Sequence, residues 1–465
     1  SLVSMIGVLT WRKIWFLAML PLVAIMQTQA LAIVTIDGHN YGVSIFNGAM
    51  LCAGVYILLF VLTKDGRRSL QEVINDKVLK IWLIFVIVCV IGAFVLPRIF
   101  EGMLVIQMLD NELLSESMKP LQPNVNHLAQ SINTIGNLVC FILAGMLANM
   151  CGRERAVRTM AIGFITAGIV AAAIGAYQRA CYLGFCNLDI ALWATNPSLH
   201  QSFDSIYGSL YGIRRVALPF IEPSYAGAWF AALAGAALAM LSRLRFWLVT
   251  LAGLLLVAAL INTIAATGII SFIIFLSIYF IVSFVMPIVI MLRGINIPKW
   301  LIFRPLVVCV VVAMVIGVGL ITSPTLRAGA VEIVDKVSKF NSPDPIRGSR
   351  SRGDANTHAL TLLINTAGLG VGMGSNRASG LFHGLLGNIG FAGVLSFIAA
   401  LVFQTSRTAS CFEKSSSFIQ YSFIAQLAGL ICLLIAMTGG IADQNWPVLW
   451  VILLFGFLLS FSDPT

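Results

Sequence analysis

The sequence predicts an all-α, polytopic transmembrane helical bundle, and three observations predict it. Mean hydropathy is +0.95. Only 10% of the 465 residues are charged, against 59% hydrophobic, too few to clothe a water-facing surface. The apolar runs are about 20 residues long, the length a helix needs to cross ~30 Å of hydrocarbon. The bilayer core offers no water to unpaired backbone groups, so segments that span it are expected as helices.

Twelve spans follow in order, approximately 14–36, 41–63, 78–97, 127–150, 159–180, 225–242, 246–264, 269–292, 305–323, 385–404, 418–437 and 447–462. They make residues 1–465 a single integral membrane domain. After Arg12 and Lys13 the first apolar stretch runs into the second without a small-residue cleavage site, so no removable signal peptide is expected.

Lys and Arg near span ends are retained in the cytoplasm, and every second connection here is basic. Arg12 and Lys13 open the series. Lys64, Arg67, Arg68, Lys77 and Lys80 follow, then Arg153, Arg155 and Arg158, then Arg243 and Arg245. Arg293, Lys299, Arg304, Arg407 and Lys414 complete it. These are 17 of the 29 cations, all in short loops on one side, which puts both termini in the cytoplasm.

Nine of the other 12 cations fall in two long loops on the far side, 181–224 and 324–384. The first holds Arg214 and Arg215. The second holds Arg327, Lys336, Lys339, Arg347, Arg350, Arg352 and Arg377 against four acids, Glu332, Asp335, Asp344 and Asp354. A long loop is exempt from the charge rule, so a solvated segment accounts for this pattern. An anion site at the outer face accounts for it as well, because the planar arginine fork binds phosphate or carboxylate oxygens in pairs and stays charged.

Within the second loop, residues 359–373 are apolar but too short and glycine-rich to span, so they are expected to dip into the outer leaflet or lie along it. Irregular backbone at that depth needs cover from protein or from a water-lined cavity. Residues 368–383 are therefore expected to line a cavity at the mouth of the tenth span, with glycines allowing close approach to a neighbour or ligand. Small-residue helix packing explains Gly384, Gly387, Gly390 and Gly393 but not Arg377 or His383. The Gly-x-Gly-x-Gly run is not a nucleotide fingerprint, since no strand precedes it.

The stretch RVALPFIEPSYAG at 215–227, then SRG at 351–353, then GVGMGSN with a histidine before the next span, resembles the O-antigen polymerase and O-antigen ligase superfamily, which includes exopolysaccharide polymerases. The resemblance covers roughly the second half of the chain. Arg215, Phe220, Glu222 and Pro223 occupy the family's arginine and Phe-x-[Asn/Glu]-Pro element. Arg352 matches its second arginine ahead of Gly370, and His383 matches its histidine, although Gly384 stands where the family commonly has Asn.

The resemblance implies a GT-C-like membrane glycosyltransferase whose donor and acceptor are glycans on undecaprenyl diphosphate at the periplasmic face of the bacterial inner membrane. It implies no cofactor and no metal. Membrane lipids and a polysaccharide chain-length regulator are the implied partners, and nucleic acid is not one. Arg215 and Arg352 are the candidates for gripping the diphosphate, with Arg214, Arg350 and Arg377 behind them. His383 or Glu222 would orient the acceptor or act as base, since histidine titrates near neutrality. Glu222 is also placed to cap a helix that opens at Pro223, and His383 to anchor at the headgroup level. His358 and Asp354 could join the site; a lone loop histidine is also simply exposed.

Cys181 and Cys186 admit either a periplasmic disulfide or two free thiols, and the other seven cysteines have no metal-ligand spacing. Trp446 and Pro447 look like an interface anchor, with Asp443 within reach of the outer cavity. A ligase moving finished glycan to lipid A core is the neighbouring reading; the Glu-Pro-Ser form of the helix-opening element leans by resemblance toward a polymerase. A lipid-linked glycan transporter would place charges inside its spans. These spans are nearly free of them.

Overall fold

The long apolar runs become helices whose starts are fixed by short polar residues. This is seen in a computed structural model that describes residues 12–36, 39–108, 116–188, 193, 195–196, 214–240, 246–285, 352–412, 415–441 and 443–461, with isolated positions 314, 317, 327 and 331. The ninth expected span, 305–323, and most of 324–351 lie outside the described residues.

In chain order the helices are α1 (Phe16–Ile25), α2 (Ile45–Phe60), α3 (Lys64–Ile74), α4 (Lys77–Ile99), α5 (Val125–Cys151), α6 (Arg153–Tyr182), α7 (Pro223–Met240), α8 (Phe246–Thr263), α9 (Ala266–Phe280), α10 (Arg352–Asn365), α11 (Leu381–Ser410), α12 (Ser417–Gly440) and α13 (Pro447–Ser460). Ser44, Thr63 and Asp76 accept the first free N–H groups of α2, α3 and α4. Asn124 and His127 close a reciprocal capping box on α5. Among the described residues six helices are long and apolar enough to cross a membrane: α4, α5, α6, α9 with the turn that extends it, α11 and α12. Their outer faces carry exposed Ile84, Ile91, Ile165, Ile169, Leu395 and Val402, which suits contact with lipid rather than water. The chain is thus a helical membrane protein.

Two hairpins depart from the all-α expectation. β1 (Ala30–Ile36) pairs antiparallel with β2 (His39–Ser44), and β3 (Leu104–Met108) with β4 (Glu116–Pro120). The expected first span, 14–36, is therefore a 10-residue helix followed by a strand. Ile36 pairs with His39, and the Asp-Gly dipeptide between them in sequence is a hairpin signal that hydropathy does not register.

The core is built around α13, whose residues from Val448 to Ser460 are all buried. Trp82, Phe85, Phe141, Phe397, Trp450 and Phe457 pack round it with ring centroids 5.4 to 6.2 Å apart. With no water at this depth, buried amides find protein partners. Trp82 Nε1 donates to Gln404 Oε1 (2.7 Å), and Gln404 Nε2 and Gln426 Nε2 donate to the Leu453 and Ile452 carbonyls of α13.

The connections sort onto two ends of the bundle. At the basic end Lys13 lies over Phe60 and Arg158 over Phe418. Arg153 donates to the Leu459 carbonyl, and the amphipathic α3 packs on α5. Here Arg407 Nη1 meets Asp76 Oδ2 at 2.7 Å while Asp76 Oδ1 caps α4 (2.8 Å to Val78 N). The Asp76 side chain is 3% exposed, so Asp76→Ala removes a helix cap and a buried ion-pair partner of Arg407, at a cost of about 3 kcal/mol. A clear drop in the thermal unfolding midpoint in detergent is expected, with a smaller drop for Asp76→Asn, and an unchanged midpoint for the alanine variant would refute the pairing's importance.

The opposite end gathers both hairpins, the α6–α7 connection, α10, the glycine-rich segment and the α12–α13 link. Gln27 N and Thr28 Oγ1 reach the Pro219 carbonyl, Arg377 N reaches Ile106 O at 2.9 Å, and Arg179 reaches Asn262 and the Arg214 carbonyl.

Candidate functional site

The glycine-rich segment plugs a broken helix. Inside α11, Gly390 adopts φ 63°, ψ −161°, which interrupts the helical ladder and leaves carbonyls without their usual donors. The segment supplies them. Val371 N donates to Gly387 O (3.0 Å), Gly372 N to Asn388 O (2.7 Å), and Phe391 N in return donates to Gly368 O (2.9 Å). Gly368, Gly370, Gly372 and Gly374 all have positive φ, between 80° and 106°. A Cβ on Gly370 would stand 2.6 Å from the Asn388 carbonyl, one on Gly368 2.7 Å from the Phe391 ring and one on Gly372 2.6 Å from Pro97, so the close approach made by these glycines is to neighbouring protein. Of residues 359–373, those to Asn365 close α10, and its C-terminal turn leads straight into the plug.

Asparagines lock this unit. Asn388 Nδ2 donates to the Asn376 and Gly384 carbonyls, Asn388 Oδ1 accepts from Asn376 N, and Asn376 Oδ1 accepts from Ile106 N of β3. His127 joins from α5. Its Nδ1 accepts from Asn124 N (3.0 Å), so the ring is neutral and Nε2–H is left to donate to Ser375 Oγ (2.9 Å), which itself donates to the Val371 carbonyl.

The residues singled out from sequence fall at this end in three places. Asn356 Oδ1 accepts from Ser379 N (2.9 Å) and Gly380 N (3.2 Å), which fastens α10 to the start of α11. Position 352 opens α10 one turn before Asn356 and on the same helix face, since residues i and i+4 align. His383 sits in the first turn of α11, its Nδ1 buried without a hydrogen-bond partner among the described residues. A Cβ on Gly380 would lie 3.3 Å from that nitrogen and 2.4 Å from the Thr438 carbonyl, so the imidazole is close to the last turn of α12.

The second place is the approach to α7. Arg214 lies over the Tyr182 ring (5.5 Å), and Gln178 Oε1 accepts from Ala217 N and Leu218 N (both 3.0 Å), holding the segment that carries Arg215 against α6. Glu222 directly precedes Pro223; its carbonyl accepts from Tyr225 N and Ala226 N and its carboxylate from the Ser224 hydroxyl (3.1 Å). Cys181 and Cys186, at the end of α6, are joined as a disulfide. The third place is α10's outward side, where the exposed Asp354 and the half-buried His358 border a shallow groove with Thr357 and Thr361, and His358 Nε2 contacts the Leu104 carbonyl at 3.1 Å. Arg350 lies outside the described residues.

Sequence reasoning gave no role to the group that links these places. The Tyr225 phenol lies within the fields of Asp443, Glu222 and Arg377, charges from three separate segments. Trp446 packs edge-on against Tyr225 with centroids 5.0 Å apart. Burial pushes the Asp443 carboxyl above the usual aspartate range, against the hydrogen bond it accepts from Asn445 N (2.9 Å). Asn445 is itself held by Thr134 Oγ1 and Gln130 of α5. The aromatic Tyr225 inside the Glu-Pro-Ser-Tyr stretch was the available signal. Its 218-residue separation from Asp443 hid the pairing.

No protein-family model matches this chain, and no curated protein matches it at a significant level.

Proposed function

We propose that this is a membrane glycosyltransferase of 12-span, GT-C-like architecture that polymerises undecaprenyl-diphosphate-linked oligosaccharide repeat units at the periplasmic face of a bacterial inner membrane, with both termini cytoplasmic. The observation that carries the reading is a convergence. Asn356 draws the helix begun by Arg352 onto the helix bearing His383, while the Tyr225–Trp446 contact brings the Glu222–Pro223 helix start to the same end of the bundle. The disulfide at that end and the basic side chains at the other support the sidedness.

In this reading the diphosphate is already a competent leaving group, so catalysis chiefly neutralises the charge that develops on it. Arg215 and Arg352 grip it, with Arg214, Arg350 and Arg377 on the approach; His383 and Glu222 orient the acceptor hydroxyl beside them, and Asp354 and His358 border the entrance. The proposed chemistry draws on side chains alone.

Deleting the gene in its own bacterium tests the reading. Long glycan is expected to vanish while single repeat units accumulate on undecaprenyl diphosphate at the periplasmic face. Finished polymer left on the lipid would favour a ligase, units trapped in the cytoplasm a transporter, and an unchanged glycan profile would refute all three.

A further inference from the structure

The α12–α13 link carries a carboxyl group that the scheme above does not use. Asp443 is fixed by a hydrogen bond from Asn445 N, and Asn445 is fixed in turn by Thr134 and Gln130, so the carboxyl has a built orientation rather than a solvated one. Tyr225, from the first turn of α7 and packed on Trp446 of the same link, lies within the field of that carboxyl, as it does within those of Glu222 and Arg377. A second observation points to a polar occupant. Trp446, 1% exposed and packed edge-on against Tyr225, has an indole N–H with no hydrogen-bond partner among the described residues. A buried donor is normally satisfied, so an orphan donor beside a held carboxyl and a phenol is what a site for hydroxyl-rich ligand offers.

We propose that Asp443, Tyr225 and the Trp446 indole form the acceptor subsite, in which Asp443 takes the proton from the attacking sugar hydroxyl. This rests on the glycosyltransferase reading. The acceptor oxygen bonds to the anomeric carbon of the donor, and its proton passes to the Asp443 carboxylate. The anomeric carbon–oxygen bond to the diphosphate breaks, and undecaprenyl diphosphate leaves with the electron pair against the arginines. The proton is then lost to water. Glu222, engaged by Ser224, and the partly buried His383 keep the acceptor aligned. Tyr225 and the indole N–H hold neighbouring sugar hydroxyls, so they position while Asp443 reacts.

The test uses the full-length protein in lipid nanodiscs with lipid-linked repeat units extracted from the deletion strain, reading release of undecaprenyl diphosphate. Asp443→Asn is expected to slow turnover about 100-fold or more. Donor KM should stay within about twofold, and Asp443→Glu should recover part of the rate. Tyr225→Phe should raise the acceptor KM more than it lowers kcat. In the unaltered protein the carboxyl must be ionised to accept a proton. Its raised pKa therefore predicts that turnover falls on acidification along a limb above the usual aspartate range, and that profile tests the claim even if a variant fails to fold. An active wild type with a fully active Asp443→Asn variant, or without that acid limb, overturns the Asp443 assignment alone. A wild type that releases no undecaprenyl diphosphate overturns the glycosyltransferase reading and this inference with it.

Discussion

Arg352→Ala is expected to abolish polymer production at near-normal protein levels. Position 352 opens α10, and the next turn of that helix, through Asn356, is hydrogen-bonded to the N–H groups that begin α11. Position 352 thus lies one helical turn from the Asn356 contact that joins α10 to the start of the helix bearing His383. Losing a charge-assisted, bidentate contact to the leaving diphosphate costs ~2 to 4 kcal/mol of transition-state stabilisation, a fall of about 30- to 1,000-fold in rate. Arg352→Lys keeps the charge but not the planar fork, so it should restore part of the rate and none of the tight diphosphate binding. The measurement is glycan length on gels beside membrane-fraction protein level. Full-length polymer from the alanine variant refutes the assignment.

Gly390→Ala is expected to remove folded protein altogether. The backbone there, φ 63° with ψ −161°, is open to glycine almost alone, and forcing alanine into it costs about 1 to 3 kcal/mol. The added Cβ would also stand 2.1 Å from the Gly368 carbonyl oxygen, inside any real contact. Relief requires the glycine-rich plug to withdraw, which breaks the hydrogen bonds of Val371 and Gly372 to α11 at about 1 kcal/mol each. Gly439 supplies the control, because nothing lies within 4 Å of a Cβ there. Gly439→Ala should change the unfolding midpoint in detergent little, while Gly390→Ala should leave no monodisperse protein to measure. A Gly390→Ala protein as stable as the control would show that the kink carries no structural weight.

Hydropathy made most of the bundle legible. The runs at 78–97, 127–150, 159–180 and 418–437 became α4, α5, α6 and α12, because lipid leaves a long apolar segment no alternative to internal hydrogen bonding. What failed was local chemistry at the ends. The short polar run at 64–74 offers hydropathy no signal, yet Gly66, Ser69 and Val73 are buried at helical spacing on one face of a helix capped by Thr63. The β1–β2 hairpin was hidden because β-branched strand residues are as hydrophobic as helical ones.

The site was legible in its parts and not in its assembly. Glu222 could be placed just ahead of the helix that opens at Pro223 from two residues; its backbone carbonyl accepts there, while its carboxylate takes the Ser224 hydroxyl. The glycines could be read as points of close approach, but their partner could not, since the kink at Gly390 exists only because the plug satisfies it. Tyr225 lies in the first turn of α7 and Asp443 in the α12–α13 link, far apart in sequence. Only the packing of α7 on α12, with Tyr225 against Trp446 at one end of the bundle, puts them in each other's field.

The central claim is that this protein joins glycans at the expense of a lipid diphosphate, and reconstitution tests it most directly. Purified protein in nanodiscs, given lipid-linked repeat units from the deletion strain and no nucleotide sugar, should release one undecaprenyl diphosphate for each repeat unit added to a growing chain. Arg352→Ala should stop the release and the elongation together. Repeat units recovered unchanged in number and length, from protein that remains folded and lipid-bound, would contradict the account.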